Sequence, residues 1–268
     1  MDPLIITATA NICWLKPDVP YPRTPEEIAI EARLCRDAGA AICHTHADGR
    51  WGETIEAIRS ECDIIVQCGM SSLEIAERMG VYLHQSDMVS IILNHHDEAF
   101  VGRDFHVLHP REELEQYMHL CLEHGVKPEF EVWNTGSIWN LNYLVGRQLV
   151  RPPYFTTLFF GWPGGTWSPP TVEEYLYRRR FLPEGSVVNV SIMGPEQGEI
   201  VSAAVANGDH VRVGTEDYPF KNGGVVPTHE LVAAAAEVGR SAGRAVATPA
   251  EARGIIGIQE RDERSLGS

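Results

Sequence analysis

Short runs of apolar, often β-branched residues alternate along this chain with longer stretches whose apolar positions recur every three or four residues. A buried strand followed by an amphipathic helix, repeated, is the pattern of βα units and a parallel sheet. Residues 4–10 read as the first strand. After a Pro-rich loop, Thr24 reads as the N-cap of a helix to about Ala38, with Pro25 at its first position, Glu27 three residues after the cap and Gly39 as the stop. Strand two is expected over residues 40–46, with a short helix around 55–59. Strand three is expected over 64–67, followed by a helix capped by Ser71 or Ser72, and strand four over 88–93. A helix over 110–124 closes at Gly125.

The second half keeps the cadence. Strands are expected at 128–133, 154–160, 186–192 and 210–214, with helices at 139–148, 171–181, 196–206 and 228–239. Thr248-Pro249-Ala250-Glu251 opens a last helix with an N-cap, an N1 proline and a first-turn acid in order. Eight such units predict an α/β fold, a closed (β/α)8 barrel forming one catalytic domain over residues 1–268. A doubly wound open sheet is the structural rival, but no G-x-G-x-x-G follows the first strand. No low-complexity segment or Gly/Ser linker marks a boundary.

Composition narrows the partners. Hydrophobic residues make up 44% of the 268 and charged residues 22%, ordinary for a globular protein. Lys and Arg number 22 against 37 Asp and Glu, a net charge of −15, which argues against nucleic acid or an anionic membrane as the main partner. No run approaches the ~20 apolar residues of a membrane span. Met1-Asp2-Pro3 lacks the basic and apolar stretches of a secretory signal, and the six cysteines are scattered without a C-x-x-C pair. Reduced thiols and a cytosolic protein are therefore expected.

In such a barrel, chemistry sits at the C-terminal ends of the strands. Strand two ends in Cys43-His44-Thr45-His46, and side chains two apart share a strand face. His44 and His46 are thus candidate ligands of a catalytic zinc site, which takes about three protein ligands; satisfied structural histidines are the alternative. Strand eight ends in Arg212-Val213-Gly214-Thr215-Glu216-Asp217. Strands two and eight both flank strand one, so Glu216 is a candidate third ligand, and Asp217 beside a cation is a candidate general base. Loop capping is the plainer reading of those two acids.

Glu129 and Glu131 share a face of strand five, and the lumen suits them better than the apolar helix layer. Asn94 or His95, ending strand four, is a candidate substrate contact, and His96 a loop residue. The glycine-rich turn of residues 161–166 could bring backbone close to an anionic group. His84, His106, His109, His119, His124, His210 and His229 are given no chemical role.

These segments together resemble the β-keto acid cleavage enzyme family, related to 3-keto-5-aminohexanoate cleavage enzyme. The resemblance rests on Ala38-Gly39-Ala40 leading to His44-Thr45-His46, on Gly125-Val126-Lys127-Pro128-Glu129 through Asn134-Thr135-Gly136, on residues 210–217, and on residues 243–253. It implies a (β/α)8 barrel, usually a homotetramer, with one zinc per subunit on His44, His46 and Glu216 and a catalytic dyad of Arg212 and Asp217. It also implies conversion of a β-keto acid and acetyl-CoA into acetoacetate and an acyl-CoA. The family's third strand usually ends in a Thr/Ser-Gly-Gly turn that holds the substrate carboxylate; here the turn departs from that pattern and reads Gln67-Cys68-Gly69-Met70, with Gly69 as an expected substrate contact. Two rivals stand beside this reading: a metal-dependent hydrolase of the amidohydrolase type, and a relative that binds a metal or ligand without catalysis.

Overall fold

The computed structural model describes residues 1–71, 73–97, 106–161 and 167–258. Its centre is a closed barrel of eight parallel strands: β1 (Ile6–Thr9), β2 (Ile42–Thr45), β3 (Ile65–Gly69), β4 (Met88–Ile92), β5 (Lys127–Val132), β6 (Tyr154–Gly161), β7 (Ser186–Met193) and β8 (His210–Gly214). Each strand pairs with the next, and β8 returns to β1 in the register Ile6↔Val211 through Thr9↔Gly214. The expected (β/α)8 architecture is the one observed. No helix among the described residues is long and apolar enough to cross a membrane. All six cysteines are free thiols and buried.

The helices α1 (Pro25–Ala38), α2 (Trp51–Glu61), α3 (Ile75–Val81), α4 (Arg111–His124), α5 (Thr135–Gly146), α6 (Val172–Arg179), α7 (Gln197–Ala206), α8 (Thr228–Ser241) and α9 (Pro249–Ile256) surround the barrel or close its end. Local chemistry sets their starts. Thr24 and Glu27 form a reciprocal capping box on α1, and Thr248 and Glu251 form another on α9. The Asn134 side chain accepts from Ser137 N–H, so α5 begins at Thr135, ahead of the residue 139 that apolar periodicity suggests. α2 likewise runs longer than the expected 55–59.

Ser71 does not cap α3. That helix starts after Glu74 with no side-chain cap, and Ser71 Oγ donates instead to the Ser90 carbonyl at 3.4 Å; Ser72 lies outside the described residues. Two antiparallel ribbons escaped the periodicity altogether: His95–Asp97 with His106–Leu108, and Phe220–Lys221 with Gly224–Val225.

Strand alternation divides the buried side chains. Cys43, Val66, Val89, Phe130, Leu158, Val190 and Val211 belong to the continuous apolar layer with the helices. The alternate positions fill the lumen in tiers. At the N-terminal end Ile5, Ile42, Ile65, Met88 and Phe155 pack with Ala252 and Ile256 of α9 as a plug. Above it lies a buried polar belt containing Thr7, His44, Gln67, Glu129, Thr157, Asn189 and Arg212. Ile92, Trp133, Phe159 and Met193 form an apolar rim at the mouth, joined by Trp14 and Trp167.

Gly214 makes the closure of β8 on β1 possible. Its φ is +154°, and a Cβ there would stand 2.6 Å from Thr9 O and 2.8 Å from Thr9 N, backbone atoms that have no room to yield. Gly214→Ala should therefore cost roughly 3 kcal/mol from overpacking and backbone strain. Urea denaturation should show the midpoint falling; an unshifted midpoint would contradict this account of the closure.

Candidate active site

The end of β2 is held by its neighbours on both sides. The side chain of Asn11, just past β1, donates through Nδ2 to His46 O at 2.7 Å, while its Oδ1 accepts from His46 N–H and Thr45 Oγ, each at 3.0 Å. That three-point clamp fixes the turn carrying His46. On the other side, β3 pairs Gln67 with His44, and Gln67 Oε1 lies 2.7 Å from His44 Nδ1. An amide oxygen only accepts, so the ring proton is placed on Nδ1 and the Nε2 lone pair faces the lumen.

The end of β8 delivers the other half. Past Gly214, Thr215 Oγ donates to Ile12 O at 2.9 Å and Thr215 N–H to Thr228 Oγ at 3.1 Å, which anchors the turn before Glu216. His44 Nε2 and His46 Nε2 are 3.3 Å apart; Glu216 Oε2 is 3.3 Å from the first and Oε1 3.2 Å from the second. Tetrahedral ligands at zinc's bond lengths of ~2.0–2.1 Å are separated by about 3.3–3.4 Å. The triangle has that size. Among the described residues, Glu216 Oε2 is buried with no hydrogen-bond partner, and the His44 nitrogen stands 3.3 Å from it. A Cβ on Gly69 would lie 2.6 Å from His46 Nε2 and 2.7 Å from His44 Nε2, so glycine leaves the concavity in which the donors converge. These observations fit a divalent ion with an open coordination position.

Arg212 organises the charge. Its Nε and Nη2 reach Asp217 at 3.1 and 3.0 Å, a two-pronged pair, and Nη2 also reaches Glu216 at 3.2 Å. Burial opposes the guanidinium charge, but Asp217 and Glu216 outweigh it and hold Arg212 firmly protonated. Burial opposes ionisation of Glu216 too; His44, Arg212 and His46 overcome it and keep that carboxylate well below its usual range. Burial, then Arg212, lowers His44. Neutral imidazole with ionised carboxylate is the protonation state a metal requires. Asp217 goes the other way: burial raises it more than Arg212 lowers it, which makes it the stronger base.

The expected substrate contacts separate into two groups. A cavity of about 450 Å3, counting its open mouth, lies over His44, His46, Arg212, Glu216 and Asp217, and both Gly69 and Glu131 line it. Glu129 and Asn94 do not. Glu129 is fully buried one tier deeper, accepting from Thr157 Oγ, while Asn94 donates to His109 O at the base of a ribbon. Of the glycine-rich turn, residues 162–166 lie outside the described residues. The walls that sequence reading missed are Trp14, Ile92, Trp133, Phe159, Trp167 and Met193. Their apolar character made them indistinguishable from core. His210 accepts from Ile5 N–H and His109 meets Arg78 and Tyr117, so both serve structure.

A sequence profile of the β-keto acid cleavage enzyme family matches residues 3–258. The chain belongs to that family. It is 31% identical over 287 aligned residues to the 3-keto-5-aminohexanoate cleavage enzyme of Fusobacterium nucleatum, covering 97% of this chain and all of that protein. A 3,5-dioxohexanoate:acetyl-CoA acetone transferase of Paraburkholderia graminis is 27% identical, with 90% of each chain covered. Among solved structures, the binary complex of ObcA with oxaloacetate superposes with a TM-score of 0.71 over 90% of this chain and 68% of that one, at 18% identity, a likeness of fold.

Within this family member, Glu131 is the carboxyl to titrate. Burial first, then the neighbouring Glu129, pushes it up to about 8, and Oε2 accepts from Trp133 Nε1 at 3.3 Å. The unfolded chain releases that proton near pH ~4.3, so the folding penalty grows as pH rises from there to about 8 and then levels off. In chelator-treated protein, Glu131→Gln removes the penalty. Its gain in melting temperature should be small at pH 5 and widest at pH 8. A gain independent of pH would show that Glu131 is not held protonated.

Proposed function

We propose that this chain is a zinc-dependent acyltransferase, a cytosolic homo-oligomer with one catalytic domain per chain. It takes a β-keto acid and acetyl-CoA to acetoacetate and the acyl-CoA of the remaining fragment. The observation that carries the reading is the meeting of His44, His46 and Glu216 within 3.3 Å beside the Arg212–Asp217 pair. Family membership and the acetyl-CoA chemistry in the Paraburkholderia relative's name support it.

His44, His46 and Glu216 would hold the ion, which when bound would supply Lewis-acid stabilisation to a substrate carbonyl as it gains charge. Asp217, raised by burial and fixed by Arg212, takes the proton from the carbon between the two carbonyls of the substrate. That carbon attacks the acetyl-CoA thioester and expels the CoA thiolate. The thiolate adds to the substrate's keto carbon, and the bond between that carbon and the deprotonated one breaks. The two-carbon carboxylate leaves joined to the new acetyl group and takes back the proton held by Asp217 to become acetoacetate, and the remaining acyl group leaves on CoA. Arg212 keeps its positive charge beside the growing negative charge throughout. Gly69 and Glu131 line the cavity where the acid would sit, and the aromatic rim would shield it from water.

Purified protein supplied with zinc and a panel of β-keto acids should form acetoacetate and new acyl-CoA only when acetyl-CoA is present, scored by mass spectrometry. Cleavage indifferent to acetyl-CoA would favour hydrolysis instead. Asp217→Asn, which can keep one hydrogen bond to Arg212, should lower kcat by about 10²–10⁴-fold. Its bound zinc should stay at the wild-type amount. Near wild-type turnover in that variant would remove Asp217 from the base role.

A further inference from the structure

We propose that the ribbon at the barrel mouth is a second divalent-metal site, built from His95, Asp97 and His106. The strands His95–Asp97 and His106–Leu108 run antiparallel, with Asp97 directly opposite His106 and His95 opposite Leu108. Residues two apart share a strand face, and directly opposed residues share it across the ladder. All three side chains therefore stand on one face of the ribbon. The same i, i+2 logic aims His44 and His46 at one point inside the barrel.

The distances match a ligand triangle. His95 Nε2 lies 3.3 Å from His106 Nδ1 and 3.3 Å from Asp97 Oδ1, the separation that tetrahedral zinc ligands adopt (about 3.3–3.4 Å). The third edge, His106 Nδ1 to Asp97 Oδ1, is 2.6 Å; His106, with 70% of its side chain exposed, has room to swing outward. A hydrogen bond needs two atoms, whereas here two ring nitrogens and one carboxylate oxygen converge within 4.8 Å of one another. Two imidazoles and a carboxylate suit zinc among the biological divalent ions, and the remaining position opens to water.

The ribbon also has a use for such an ion. An isolated two-stranded hairpin is marginal in water, and these strands are three residues each. Its base is tied where His109 N–H donates to Asn94 O at 2.5 Å and Asn94 Nδ2 donates to His109 O at 3.2 Å. A metal on His95, Asp97 and His106 would tie it again, farther out. Asp97 O accepts from Trp167 Nε1 at 2.9 Å, and Trp167 meets Trp133 edge-on with ring centroids 4.0 Å apart. The ion would thus brace the ribbon against the aromatic wall of the cavity, a structural role separate from the reaction proposed above.

The test is metal stoichiometry on the full-length chain, equilibrated with excess Zn2+, passed through a desalting column and measured by plasma mass spectrometry. Wild type should carry two ions per chain, and His95→Ala/His106→Ala one. His44→Ala/His46→Ala should also carry one, and in that background Co2+ should give the visible bands of a tetrahedral centre, lost on adding His95→Ala/His106→Ala. Circular dichroism confirms folding of each variant. The ribbon site is overturned if His95→Ala/His106→Ala binds as much zinc as wild type, a comparison that stands even where the barrel variant fails to fold. If instead the barrel variant keeps the wild-type amount, the catalytic zinc reading fails and the ribbon site survives.

Discussion

A guanidinium sealed inside a barrel is the constraint on which this structure turns. Arg212 is 2% exposed, and a charge so placed is tolerable only when paired and hydrogen-bonded. Asp217 supplies the two-pronged partner and Glu216 a second carboxylate, both delivered by the chain immediately after β8. That delivery requires the backbone to turn sharply past Gly214 and pack against Thr9 without a Cβ. Glycine, cation and acids form one unit in six residues. Removing the cation would leave Glu216, Asp217, Glu129 and Glu131 buried together with the charge they share withdrawn.

The lumen places this unit at a useful depth. The apolar plug below stops water from entering through the N-terminal end, and the aromatic rim above narrows the mouth. Between them the polar belt is locked by its own bonds: Gln67 holds His44, Thr157 holds Glu129, and Asn189 Nδ2 donates to Thr157 Oγ at 3.0 Å. In such a low-dielectric, prearranged setting, electrostatic interactions are stronger than in water and need no reorganisation as charge develops. Acid excess also has a local resolution. Burial and mutual repulsion keep Glu131 neutral to about pH 8, so fewer negative charges coexist than the side chains suggest.

What was legible in the sequence followed from spacing within one element. Alternation aimed His44 into the lumen, Thr24 with Glu27 announced α1, and eight repeats announced closure. What was hidden depended on register between elements. Glu129 and Glu131 share a strand face, yet the stagger of the strands lifts only Glu131 to the cavity. Gln67 became the partner of His44 through the pairing of β2 with β3, which no local pattern encodes. The ribbon of His95 and His106 is too short for periodicity to show, and Asp97 is a poor strand former. Asn134 had the side chain of a cap, but the apolar face of α5 starts later and masked it.

The division between belt and rim separates residues whose geometry the sheet sets from residues carried at strand ends and on connecting segments. His44 and Arg212 sit on barrel strands, and His46, Glu216 and Asp217 lie just beyond them in turns fixed by Asn11 and Thr228, so their geometry is set by the sheet. Trp14 and Trp167 come from connecting segments, and Trp133 and Met193 from the last residues at or beyond the strands, where the chain can vary without disturbing the barrel. In the proposed reaction the substrate's reacting carbons would meet the belt, and the group beyond its keto carbon would project toward the rim. There it finds stacked Trp133 and Phe159, centroids 4.2 Å apart, and a Glu131 carboxyl hydrogen-bonded to the same indole. Flat apolar surface with one polar handle discriminates by shape and by a single hydrogen bond. Under the proposed reaction, a rim of this kind would change which acid is accepted and leave the bonds made and broken below it unchanged.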